Sequence, residues 1–430
     1  MSEIKVNTIT KRTGSTLTIG ESGTTVALAS GASQSGFKAI DWQSVVTADG
    51  STTTTAEAGK GYPIDTTSAA HTINLPASPS AGDEVAVLDY AGTFATYNLT
   101  IGRNGSNIQG GALNATISTT RRAITLVYID STKGWIPTND NTTEDYGSSF
   151  IEATGGTTTT SGNFKIHTFN SSGNFVVSSL SAVSANNDVS YLVSAGAGGG
   201  GAGASGSWAG GGGGGGGFRE GRASNDSYTV SPLNAPAGIT VTTQTYPITV
   251  GGGGNGATGP SGTNKGSTGS NSVFSTITSA GGGGGGAGAN PGSPGDNGGS
   301  GGGGGSGNDA RPGGTGNTPP VSPSQGNDGG DTSANHQSGS GGGGATAAGT
   351  SSVPGGGSPR SGGAGASSVI SGSSTTYSTG GASGNNPGPG PATAGAANTG
   401  IGGQGAWGAQ PPYNGGAGGS GVVIIRYKYQ

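Results

Sequence analysis

The chain has 430 residues, a formal net charge of −4, no cysteine, and charged side chains at only 9% of its positions. Without cysteine there are no disulfides or thiolate metal sites, and no basic patch is large enough to follow a phosphate backbone, so nucleic acid is not an expected partner. Glycine fills 98 positions, most of them after Ser194, and it brings no side chain to bury while losing the most backbone freedom on ordering.

In chain order, residues 1–35 read as a thin extended stem. Short alternating pieces, Leu17/Ile19 and Val26/Leu28, are separated by Gly14, Gly20, Gly23 and Gly31. Each piece buries only two apolar side chains, so copies from several subunits must wind together to supply the missing neighbours. The first residues carry no apolar run or cleavage site of a signal peptide, and Val422–Ile425 is too short to span a bilayer.

Residues 36–146 predict a β-sandwich-like domain. Its strands are 72–75, 84–90, 99–101 and 123–129, with turns at 80–83, 103–105 and 133–135, and Trp42, Tyr62, Tyr90, Tyr128 and Trp135 supply buried area. Residues 147–194 predict a β-rich connector: a strand at 165–169, a turn at 172–174, a return strand at 175–177, and a strand at 188–193 running straight into glycine. No segment shows a sustained 3.6-residue period, so the fold class is mainly β with almost no helix.

Residues 195–430 form the glycine-rich domain. Strand-like pieces at 228–230, 245–250, 272–277, 367–370 and 421–427 interrupt it and would pin its ends. With few apolar side chains to offset the ordering entropy, the remaining resource is the backbone donor and acceptor of every residue. An extended helix of three residues per turn leaves both groups pointing outward, and glycine lets such helices approach closely. Gly292, Gly295, Gly298, Gly301, Gly304 and Gly307 keep a three-residue register, and Gly256, Gly259 and Gly262 begin another. A bundle of packed polyglycine II helices is expected, in place of a disordered tract.

No catalytic constellation emerges, so neither an enzyme nor a cofactor is expected. His71, His167 and His336 lie in separate segments, and Asp83/Glu84 and Glu144/Asp145 sit in turns where solvation explains them. Matches to glycine-loop motifs carry no information at this glycine content, and Gly59-Lys60-Gly61 fails the phosphate-loop pattern. The informative residues are the few that are not glycine. Phe218, Tyr228 and Tyr246 flank strand-like pieces and read as packing. Trp407, Tyr413, Trp208, Tyr377, His336, Arg311 and Asp309 are the candidate recognition residues, with 308–312 and 331–337 as irregular tips.

Ile4-Lys5-Val6-Asn7-Thr8-Ile9 with Gly14-Ser15-Thr16-Leu17-Thr18-Ile19-Gly20 opens the chain; Gly59–Thr67, Asn74-Leu75-Pro76 and Lys133-Gly134-Trp135 mark its β domain; Gly415–Tyr427 closes it. In combination these stretches resemble tail-fibre proteins of tailed bacteriophages, especially marine and cyanobacterial ones. The resemblance implies a homotrimeric virion fibre, attached through its N-terminus to tail or baseplate proteins. Its C-terminal region would bind a protein or glycan receptor on the host surface, outside the cell and without membrane insertion. Two other readings stay open: a purely structural tail connector, and a binder of ice or polysaccharide surfaces.

Overall fold

The computed structural model describes residues 40–138, 150–181, 184–259, 264–353, 358–384, 392–407 and 413–429. The expected stem, Gly262 of the second glycine register, and parts of the loops before Tyr413 lie outside the described residues. The chain divides into two compact units, residues 1–110 with 114–145 and residues 111–113 with 146–430. It is mainly β, and among the described residues the only helical turn is Ser184–Asn187.

The first unit contains β1 (Asp41–Trp42), β2 (Val46–Thr47), β3 (Thr53–Thr55), β4 (Lys60–Asp65), β5 (His71–Asn74), β6 (Glu84–Asp89), β7 (Leu99–Gly102), β8 (Ala115–Ile117), β9 (Ala123–Asp130) and β10 (Gly134–Pro137). One sheet runs β1-β4-β6-β9-β10 with β2 also on β4; the other runs β3-β5-β7-β8. From β3 to β7 the chain switches sheet at each connection, so β4 pairs with β6, β3 with β5, and β5 with β7, all in parallel ladders. Tight turns predict antiparallel returns; here they hand the chain to the opposite sheet instead. Alternation sets the core: Val85 and Val87 of β6 and Ile124 and Leu126 of β9 are buried. Trp135 is fully buried against Tyr128, ring centroids 5.6 Å apart. Trp42 and Tyr90, expected in this core, are instead 49% and 59% exposed, because they lie on the other side of the sheet.

The second unit begins with β11 (Glu152–Thr154), β12 (Thr157–Ser161), β13 (Phe164–Phe169), β14 (Gly173–Ser179), β15 (Asp188–Ser194) and β16 (Phe218–Gly221). It continues with β17 (Asn234–Ala235), β18 (Ile239–Thr240), β19 (Thr245–Thr249), β20 (Ser272–Phe274), β21 (Ile277–Ser279), β22 (Ala366–Ser368), β23 (Thr375–Tyr377) and β24 (Val422–Lys428). Two large sheets follow the orders β12-β13-β24-β15-β16-β17, with β18 also on β15, and β11-β14-β19-β20-β21. The C-terminal β24 inserts between β13 and β15. Residues 147–194 are therefore no separate connector; they are built into the glycine-rich unit. The hairpin expected from 165–169 and 175–177 does not form, since β13 and β14 enter different sheets. The piece expected at 272–277 is itself a hairpin, turning at Ser275 with φ +53°, and 228–230 is not a strand.

Both faces of the central sheet are buried, which is why β24 reads as an unbroken apolar run rather than an alternation. Val423, Ile425 and Tyr427 join Val193, Phe175 and Phe274 on one face, whereas Val422 and Ile424 join Leu192, Phe218 and Tyr377 on the other. His167 is fully buried on the first face, with Nδ1 2.7 Å from the Gly155 carbonyl and Nε2 3.1 Å from the Tyr427 hydroxyl. The carbonyl requires Nδ1 to donate, and with the ring kept neutral by burial Nε2 accepts from the Tyr427 hydroxyl. Burial holds its pKa below the ordinary 6.5. The unfolded chain takes up this proton first, so the stabilisation is complete above about pH 6.5 and is lost as pH falls towards the native pKa. Urea unfolding of the second unit should show stability falling below pH 6.5, by at most about 1.4 kcal/mol per pH unit, and His167→Gln should flatten that slope. An equal slope in the variant would refute this role.

From these strands grow extended segments whose hydrogen bonds repeat every third residue. Segment 195–204 continues β15. Ala195, Gly198, Gly201 and Ala204 donate to Gly217, Gly214, Gly211 and Trp208; Gly196 and Gly199 donate to Ser270 and Ser267; Ala197 and Gly200 donate to Gly419 and Gly416. Its carbonyls accept on three further sides, from Gly282 and Gly285, from Gly254 and Ala257, and from Gly403 and Ala406. One rod thus bonds to six neighbours, the outward-pointing geometry of an extended three-residue helix. Segment 209–217 has the same environment and passes into β16. Side chains take over as the lattice meets the sheets: the Ala280 and Gly281 amides donate to Gln325 Oε1 and Asn271 Oδ1. The register from Gly292 to Gly307 does not belong to one rod; a bend at 298–300 reverses it, and Gly302 and Gly305 bond back to Asp296 and Ser293.

Candidate functional site

Rods leave the sheets and return to them, so their turns collect at the far end of the lattice. Segment 195–204 reverses through Ser205–Ser207, where Gly206 has φ +93°, and the Ala204 amide closes the turn on the Trp208 carbonyl at 2.9 Å. The Trp208 indole folds back over this turn, its Nε1 3.5 Å from where a Gly206 Cβ would sit. Gly203, beside the turn, organises two more aromatic residues. Its amide donates to the Tyr413 carbonyl at 3.0 Å, and a Cβ there would lie 2.1 Å from the Trp407 carbonyl oxygen and 3.2 Å from that of Trp208. The backbone carbonyls of Trp208, Trp407 and Tyr413, residues up to about two hundred positions apart in the chain, thus meet at one glycine, and each of the three residues is half-buried.

The neighbouring rod adds a polar turn. Ser306 bonds to Ala209 in both directions, its amide to the Ala209 carbonyl and its Oγ accepting the Ala209 amide at 2.6 Å. Beyond it the exposed residues 308–310 lead to Arg311, which bridges Thr332 through both backbone groups. Arg311 Nη2 donates to Asp309 Oδ2 at 3.0 Å, an exposed pair contributing at most about 1 kcal/mol. Its effect is to leave the turn neutral.

His336 stands at the same end, bridging Gly307, but its side chain is only 5% exposed and its Nδ1 accepts the Ser338 amide at 3.1 Å. It orders the turn and does not face outward. Tyr377 belongs to the opposite end. It is buried beside Phe218, ring centroids 6.4 Å apart, in the core under the sheet, and is withdrawn from the candidate surface. Five candidates therefore share the apex surface: Trp208, Trp407, Tyr413, Asp309 and Arg311.

The sequence reading missed a buried polar cluster at the sheet end. Arg426 Nε donates to Asp226 Oδ2 and Oδ1 at 3.1 and 3.2 Å, with side-chain exposures of 6% and 1%, and the guanidinium lies 4.6 Å from the Phe164 ring centroid. Glu220 accepts the Ser231 amide and the Ser368 hydroxyl. Burial, reinforced by Glu220 and Asp226, pushes the Tyr228 hydroxyl far above its usual range and keeps it neutral. An arginine inside the apolar run 422–427 was the available signal, since such a charge demands a partner. Asp226, Glu220 and the Arg426 Nε are hydrogen-bonded within the cluster, whereas the Tyr228 hydroxyl and Arg426 Nη1 are buried without a hydrogen bond; the Arg426–Asp226 pair reads as a clasp between strands. Among the described residues, no group of three His, Asp or Glu side chains could hold a metal ion, and no helix is long and apolar enough to cross a membrane.

These features define a β scaffold that extends into a hydrogen-bonded glycine lattice. Residues 170–428, more than half of the chain, match the glycine-rich domain family, and the chain belongs to that family. No match was found among curated proteins.

Proposed function

We propose that the chain is a receptor-binding tail fibre of a bacteriophage, presenting the apex of its glycine lattice, a polyglycine II bundle, to the host cell surface. The convergence of Trp208, Trp407 and Tyr413 on Gly203, at the end farthest from the sheets, carries this reading. Half-buried aromatic side chains on a rigid backbone lose little entropy on contact, and small polar neighbours offer hydrogen bonds. The neutral Asp309–Arg311 turn adds directional donors and acceptors without a strong field. The resemblance to phage tail fibres supports the setting: a virion protein, N-terminally attached to tail or baseplate proteins, acting outside the cell. The chemistry is recognition without a catalytic step.

The test is competition by the purified full-length chain against adsorption of the parent virus to its host. Wild-type chain should compete, and Trp407→Ala with Tyr413→Ala should weaken competition by about ten-fold or more while melting stays unchanged. A folded wild-type chain that leaves adsorption untouched, or a double variant that competes equally, would overturn the reading in favour of a structural connector.

A further inference from the structure

The second sheet of the first unit turns an uncharged, hydroxyl-bearing face outward. Ladder register sets Thr53 of β3, Thr72 of β5, Thr100 of β7 and Thr116 of β8 abreast in one row across all four strands. Alternation fixes their side. His71, Ile73, Leu99, Ile101, Ala115 and Ile117 are buried in the core, so the residues between them face out. On β3 the Thr54 hydroxyl reaches inward to His71 Nε2 at 2.9 Å, which leaves Thr53 and Thr55 on the outer side. The next row is Thr55, Asn74 and Gly102, and the Asn74 carboxamide lies over Gly102, where a Cβ would otherwise sit. No Asp, Glu, Lys or Arg occurs in the four strands; charges resume beyond their ends, at Glu57, Arg103 and Arg121. Thr53 and Thr55 are exposed, and Thr72, Thr100 and Thr116 are half-buried by their neighbours in the row. Unlike that of Thr54, these five hydroxyls bond no other protein group among the described residues.

The make-up of this face selects its partner. Protein interfaces centre on aromatic side chains and arginine, and threonine is scarce among their hot spots, so a threonine row makes a weak protein contact. Polyanions need lysine and arginine, which the strands lack. A neutral saccharide offers what the row can use: uncharged hydroxyl groups, each donor and acceptor, opposite side chains with the same two capacities. The loop before β7 adds an aromatic ring at the end of the face. Asp89, buried, accepts the amides of Arg121, Gly92, Thr93 and Phe94 at 2.8, 2.9, 3.0 and 3.3 Å, and the fully buried Phe94 anchors the loop. So held, Tyr97 stands 41% exposed just ahead of β7. It is a preorganised surface against which the apolar side of a sugar ring can stack.

We infer that the outer face of the β3-β5-β7-β8 sheet, with Tyr97 at its end, is a binding site for neutral polysaccharide. It lies in the first unit and stands or falls separately from the apex of the glycine lattice. Four strands about 4.8 Å apart cover only a few sugar units, so a polymer that repeats the contact is the suitable probe. Affinity electrophoresis of the intact protein through gels carrying dextran, mannan or arabinogalactan should show retardation by at least one of them, and less by polygalacturonate. Thr72→Val with Thr100→Val keeps the shape of the row but removes two hydroxyls, and should weaken the interaction about ten-fold. Tyr97→Ala should weaken it as well. If the valine pair aggregates, Thr100→Lys, which sets a charge in the row, must show the loss instead. Trp407→Ala with Tyr413→Ala should be retarded like the wild type. No retardation by any neutral polymer, retardation by polygalacturonate alone, wild-type retardation of the row variants, or loss in the apex variant would overturn the inference.

Discussion

Replacing Gly199 by alanine should destabilise the second unit by about 3 kcal/mol or more, whereas the same change at Gly252 should be neutral or stabilise slightly. A Cβ at Gly199 would sit 2.1 Å from the Asn255 carbonyl oxygen and 2.5 Å from its carbon, and nothing lies within 4 Å of one at Gly252. The obstacle at Gly199 is backbone held by its own hydrogen bonds, so no rotamer change relieves it. Gly199 also donates to Ser267 and accepts from Gly285, so displacing the rod breaks bonds to several neighbours at once. Urea denaturation of the two variants measures the difference. Equal midpoints would mean that the glycines are not packed as described. A single added methyl group distinguishes a lattice from a loose tract because both sites are glycine in the same region.

The second large effect falls on the sheet clasp. Asp226→Ala should cost about 3–5 kcal/mol, because it leaves the Arg426 guanidinium buried without its counter-charge between the rings of Phe164 and Tyr228. The Ser190 hydroxyl, which donates to Asp226 Oδ2 at 2.9 Å, loses its acceptor in the same step. Replacing both charges, Asp226→Leu with Arg426→Met, should recover most of the loss, since an apolar pair of similar volume costs no desolvation. Denaturant midpoints of the single and double variants give the comparison. A loss below about 1 kcal/mol in the single variant would show the pair to be solvated and dispensable.

Much of the β scaffold is legible in the sequence because its strands carry period-two patterns or, in β24, a short continuous apolar run. Pieces at 72–75, 84–90, 99–101, 123–129, 188–193 and 421–427 lie at or within two residues of β5, β6, β7, β9, β15 and β24. Pairing is less legible, since turn residues at 172–174 announce a reversal without saying which sheet receives the returning strand. The four threonines of β12 form an exposed edge and have no apolar face to read. Within the lattice, adjacency is invisible in the sequence: Gly203 looks like any other glycine until its neighbours prove to be Trp208, Trp407 and Tyr413. The three-residue register shows that such rods exist but does not show where one ends, as the bend at 298–300 demonstrates. Tyr377 and Tyr413 sit in similarly small, polar surroundings in the sequence. Only the position of β23, beneath the core containing Phe218, separates the packing tyrosine from the apical one.

Glycine in this chain does what a hydrophobic core does elsewhere. It removes side chains so that backbone groups satisfy one another on six sides, and the rods are fixed to sheets whose apolar cores bear the ordinary load. The result holds a few aromatic residues at one end. Amide hydrogen exchange on the intact protein tests this most directly. The account predicts that the amides of 196–203 and 210–217 exchange as slowly as those of β15 and β24, since all are bonded to backbone partners in the interior. Exchange of those glycine amides at the rate of a free peptide, with β15 and β24 still protected, would contradict it.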